Sequence, residues 1–256
     1  MLPYAAFKDT LERARFLLRL HDGLINQRQR RIRADWKGKF TSLVHWPVGV
    51  ALERIDTKDA IIVLRDGSSL TPDDFAKAAL DELLRAALAL GVSALDRYVH
   101  ERVTKNIVFA LRAGNLNRQQ RDFVLPASTA LEIADRVRSA RNANVAIRPA
   151  NEFRKAVQEE IHKRPYQSWR DIEGAFELVG VTGLAGKLQG LYGISNFRPI
   201  KQQHNEIVRR RNEIAHEGDL AVHERGGRVK RNPIEHAFVK QSLAFVETLV
   251  SKLEQV

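Results

Sequence analysis

The 256-residue chain has no cysteine. That removes disulfides, thiolate catalysis, iron–sulfur clusters and cysteine-based zinc sites together, and it suits a reducing cytoplasm. Long apolar runs are also missing. The longest, residues 86–92 (AALALGV), falls far short of the roughly 20 residues that span a bilayer. Acidic residues stand near the amino end where a secretory signal would be apolar, so neither a membrane nor export is expected. Glycine and proline are few, 15 and 8 residues, which excludes collagen-like and low-complexity chains. Nor is there a Gly-x-Ser-x-Gly elbow or a Gly-Lys-Ser/Thr phosphate loop. What is present, 44% hydrophobic and 29% charged residues, describes a soluble globular protein, long enough for one large domain or two small ones.

Negative charge is in deficit: 42 Lys+Arg against 31 Asp+Glu leave a net charge of +11. A surplus of that size points first to a polyanion, with nucleic acid ahead of an anionic membrane or an acidic protein. Two arginine-dense stretches concentrate it. Arg28, Arg30, Arg31 and Arg33 lie in residues 27–39, which continue a helix or form a basic loop; Arg225, Arg228, Lys230 and Arg231 lie in a polar loop near the carboxyl end. Both are candidate RNA-backbone contacts, as are Arg209 and Arg210, the alternative being ordinary solvated surface.

Apolar spacing is helical almost throughout. Residues 4–24 read as an amphipathic helix. Thr71-Pro72-Asp73-Asp74 reads as a helix start, and the stripe from Phe75 to Val108 continues it to about Arg112, with a bend at Gly91. Further helices are expected over residues 128–141, 151–162, 168–178 and 199–215, the last ending at Gly218. Asn232-Pro233 is expected to cap a final helix. Only Ile61-Ile62-Val63-Leu64, closed by Asp66-Gly67, looks like strand. The fold class is therefore all-α: a helical unit over residues 71–256 with a small irregular N-terminal addition over residues 1–70.

One segment departs from ordinary helix patterning, residues 208–219 (VRRRNEIAHEGD). Arg211 falls three or four residues from Ile207, Val208, Ile214 and Ala215, on the apolar side. A guanidinium there must find an anion, snorkel to an edge, or face a subunit or ligand, because burial cannot neutralise it. Asn212 precedes His216 by four, so the two share a face. A fixed cation with an imidazole suits RNA cleavage by the ribose 2′-hydroxyl: histidine moves the proton and arginine stabilises the phosphorane, with no metal or other cofactor required. The plainer alternative is a solvated face, with Arg211 paired to a core carboxylate and His216 favoured by the helix C-terminus. A metal site among His216, Glu217, Asp219, His223, Glu224 and His236 is not supported, since HEGDL lacks the second histidine of HExxH.

Arg211-Asn212-Glu213-Ile214-Ala215-His216 resembles the Arg-(four to six residues)-His motif of HEPN domains. SWRDIEGAFELVG (residues 168–180) followed by IVRRRNEIAHEG (residues 207–218) is similar to the C-terminal half of the RiboL-PSP-type group, and Ser93–Tyr98 resembles that group's first core helix. The resemblance implies an up-and-down bundle of four or five helices, dimerised so that two motifs meet in one composite site. It also implies a metal-independent endoribonuclease leaving a 2′,3′-cyclic phosphate, acting as a toxin with an antitoxin partner or as an antiviral effector. Carried over by position, Arg211 and His216 are catalytic, Asn212 orients His216 or the phosphate, and Asp96 or Glu101 is an assisting acid. Gly218 stands where one toxin branch has tyrosine, which separates the chain from that branch. Some members are inactive, so the alternative is a silent module binding RNA or protein.

Overall fold

The computed structural model describes residues 3–47, 49–146, 148–220 and 231–256. Its centre is the helix α3 (Lys77–Arg112), 36 residues and about 54 Å long at 1.5 Å per residue. Leu84, Leu88, Leu95, Val99, Val103 and Ile107 along it are fully buried, because neighbours cover it on several sides. They are α1 (Pro3–Leu24), α6 (Pro149–His162), α7 (Trp169–Leu178), α9 (Arg198–His216) and α10 (His236–Leu253). Short helices α4 (Arg118–Arg121) and α8 (Leu184–Tyr192), together with α5 (Ala127–Asn142), lie outside this centre. The chain is mostly helical, as its spacing predicts.

The helix α1 matches the amphipathic pattern of residues 4–24 and buries Phe7, Leu11, Ala14 and Leu18 in the same cluster as α3 and α10. Lys8 and Arg15 both reach Glu247 of α10. The helical unit therefore takes in the first helix as well as residues 71–256, and the N-terminal addition is reduced to the segment between α1 and residue 70.

That addition is not irregular. Asn26, at φ +67°, turns the chain out of α1 into β1 (Arg28–Arg30), then α2 (Ala34–Leu43), β2 (Leu52–Asp56) and β3 (Ile61–Arg65). The strands form an antiparallel sheet in the order β1-β2-β3, with Arg28 opposite Asp56 and Leu52 opposite Arg65. The arginine-rich stretch is thus neither a helix extension nor simply a loop. All three residues of β1 are exposed, so the edge strand carries no period-two apolar signal and exists through its ladder to β2.

Three further expectations are corrected. Thr71 caps a short 3₁₀ turn, Pro72–Phe75, by accepting and donating at Asp74, and α3 begins only at Lys77. α3 is not interrupted at Gly91; the glycine lets α10 approach, since a Cβ there would collide with the Leu243 side chain. Asn232-Pro233 does not cap α10, which starts at His236. The Asn232 amide instead donates to the Asp219 carbonyl at 2.8 Å.

Candidate functional site

Ile207 and Val208 anchor α9 in the core and bring its carboxyl end beside α3. Arg211, half-buried, donates from Nη1 to Asn212 Oδ1 at 2.9 Å. Burial pulls its pKa below the ordinary arginine value, and the charge of Asp96 on α3 acts the other way. Asp96 is fixed in turn: its Oδ1 accepts the Tyr166 backbone N–H at 2.6 Å, and its Oδ2 lies 3.7 Å from His100 Nδ1. Of the two expected acids, Asp96 is the one whose charge acts on Arg211. Glu101 accepts from Arg97 Nε at 2.8 Å instead.

His216 is exposed in the last turn of α9. The helix is unbroken from Arg211 to His216, which sets the two side chains about 140° apart around the axis, whereas Asn212 and His216 differ by about 40°. The shared face of Asn212 and His216 is as expected. Arg211 and His216 of one chain therefore leave the α9 axis in different directions. Asn212 also lines a cleft of about 400 Å³ with Ser168, Asn205, Arg209 and Glu213.

A buried ion-pair cluster just past the motif was not foreseen. Asp219, 1% exposed and at φ +59°, a conformation unusual for a residue other than glycine, accepts from Arg85 Nε of α3 and from both Nη atoms of Arg210. Burial works against its ionisation, but hydrogen bonds from Arg210 and then Arg85 outweigh it and lower its pKa. Arg85 also reaches the Asn232 carbonyl at 2.8 Å. The signal in the sequence was Arg85 itself, a charge inside the most apolar part of α3, which demanded an anion.

The candidate RNA contacts divide accordingly. Arg210 is largely covered, and its guanidinium bonds to Asp219, Glu213 and the Pro233 carbonyl. Arg209 is exposed beside Glu213 at 3.2 Å. Arg231 pairs with Glu82. Arg225, Arg228 and Lys230 lie outside the described residues. Arg28, Arg30, Arg31 and Arg33 are all exposed. Arg30 lies 3.7 Å from Asp56, and Arg30 and Arg31 line a groove of about 600 Å³ with Lys37, Arg54 and Glu53. Next to this basic segment Trp36 stacks on Phe40 at 4.7 Å, both half-buried, whereas Trp169 is buried.

Among the described residues no group of three or more His, Asp or Glu side chains is arranged to hold a metal ion, and no helix is long and apolar enough to cross a membrane. Compared with protein-family models, curated proteins and solved structures, the chain matches none. The class that the fold defines is accordingly a mainly helical protein with a small antiparallel sheet.

Proposed function

We propose that this protein is a HEPN-like endoribonuclease that cuts RNA without a metal and works as a homodimer in the cytoplasm. The observation that carries the reading is Arg211: a half-buried cation, bonded to Asn212, with Asp96 the carboxylate acting on it, five residues before an exposed histidine on the same helix. In the reaction the ribose 2′-oxygen bonds to phosphorus as His216 accepts its proton, and the phosphorus–5′-oxygen bond breaks as that oxygen takes a proton from water or a second imidazole. The products are a 2′,3′-cyclic phosphate and a 5′-hydroxyl. Arg211 stabilises the negative charge on the phosphorane oxygens.

The divergence of Arg211 and His216 makes the dimer part of the proposal. A two-fold axis beside the α9 carboxyl ends lets His216 of one copy work with Arg211 of the other. Cutting cellular RNA is the activity of a toxin held by an antitoxin, or of an antiviral effector. The same divergence favours a second reading, a silent module that binds RNA or a protein.

The deciding experiment incubates wild type, Arg211→Ala and His216→Ala with single-stranded RNA in EDTA. Cutting that leaves cyclic phosphate ends and is lost in both variants supports the nuclease. Binding without cutting in the wild type overturns it in favour of the module.

A further inference from the structure

A cavity of about 710 Å³ opens between α3, α6 and the start of α1, with Asp96 in its lining. Its lining on α3 runs from Asp96 to Lys105, with Arg154 on the α6 wall. Ten residues of helix make this wall about 14 Å long. The volume lies within the range of sites that hold nucleotide-sized ligands.

Both carboxylates of the cleft are already engaged. Asp96 holds the Tyr166 amide and acts on Arg211, and Glu101 holds Arg97. His100 forms part of the wall, its ring nitrogens directed at the Asp96 and Ile161 carbonyls. Two cations remain, Lys105 on α3 and Arg154 on α6. Both are exposed at their tips and neither has an ion pair among the described residues. Like charges on opposite walls repel, and an anion between them relieves the repulsion.

We propose that this cleft seats a nucleotide unit of the RNA strand, with its phosphate between Lys105 and Arg154, so that the strand runs along α3 from the position of Arg211. The inference rests on RNA being the substrate, but it concerns binding and not cutting.

The test measures binding of a labelled single-stranded oligonucleotide, 2′-O-methylated so that it cannot be cut, across a salt series. The proteins are wild type, Lys105→Gln/Arg154→Gln, and the control Lys187→Gln/Lys240→Gln, whose exposed lysines lie on α8 and α10. Two lost phosphate contacts on a single strand reduce the slope of log affinity against log salt by about 1.4, and the control keeps the wild-type slope. An unchanged slope in the cleft variant, or an equal fall in both variants, overturns the proposal. A second arm titrates adenosine monophosphate. Loss of mononucleotide binding in the cleft variant with oligonucleotide binding intact overturns the strand assignment, because the cleft then serves free nucleotides. Cutting of unmodified RNA by the wild type is scored separately, so failure of the nuclease reading and failure of the cleft are told apart.

Discussion

Arg85 of α3 and Asp219, three residues beyond His216, form a buried ion pair that Arg210 completes from α9. It joins the central helix to the segment that ends the candidate motif. Three helices depend on it, since the same guanidinium groups hold the Asn232 and Pro233 carbonyls ahead of α10.

Removing the Asp219 carboxylate leaves two arginines without their shared anion, at a cost of about 3–5 kcal/mol. Asp219→Asn is the cleaner variant, because asparagine tolerates positive φ. Urea denaturation should show most of this loss in Asp219→Asn as well as in Asp219→Ala. Equal stability of Asp219→Asn and wild type would show that the charge contributes nothing.

Gly91→Ala should cost about 1–3 kcal/mol through overpacking against Leu243. Combined with Leu243→Val, the loss should fall short of the sum of the two single changes, a coupling that a double-mutant cycle reads directly. Strict additivity would mean the two helices do not touch there.

Acid should weaken the fold through His204. Burial pushes its imidazole down to about 4 from the ordinary 6.5, with Asn205 opposing the shift only in part. The folded state therefore prefers the neutral ring. The unfolded chain takes up the proton first as pH falls below 6.5, so stability is complete above that value and is lost down to about pH 4. The full loss is about 3 kcal/mol. Melting temperatures at pH 7 and pH 5 should differ less for His204→Phe than for wild type; His21, also lowered by burial, keeps part of the difference. An identical pH profile in the variant would discount His204.

Replacing Arg28, Arg30, Arg31 and Arg33 by glutamine should weaken RNA binding at low salt. Arg30 is partly neutralised by Asp56, so three free phosphate contacts are expected to be lost, flattening the single-strand salt slope by about 2. Fluorescence anisotropy across a salt series measures it. A wild-type slope would remove the sheet edge from the RNA path.

Where apolar residues recur at helical spacing the sequence was readable: α1, α6, α7 and α9 lie within a residue or two of the expected spans because burying that stripe is what forms them. β1 was not, since an exposed strand of Arg-Gln-Arg owes its form to a neighbour and not to its own pattern. The packing role of Gly91 was hidden because sequence does not reveal that Leu243 occupies the space beside it. At the site, the shared face of Asn212 and His216 followed from spacing alone, whereas the choice of Asp96 or Glu101 as the acid came from the family resemblance. That Asp96 is the one acting on Arg211, and that Arg210 is spent on Asp219, depends on how α9 sits against α3, which no local pattern encodes.

The bridge between Leu220 and Arg231 brings the chain back to the place it left, with the Asp219–Asn232 bond directly behind it. Backbone pairing here ties the exit of α9 to the approach of α10 whatever side chains stand at those positions.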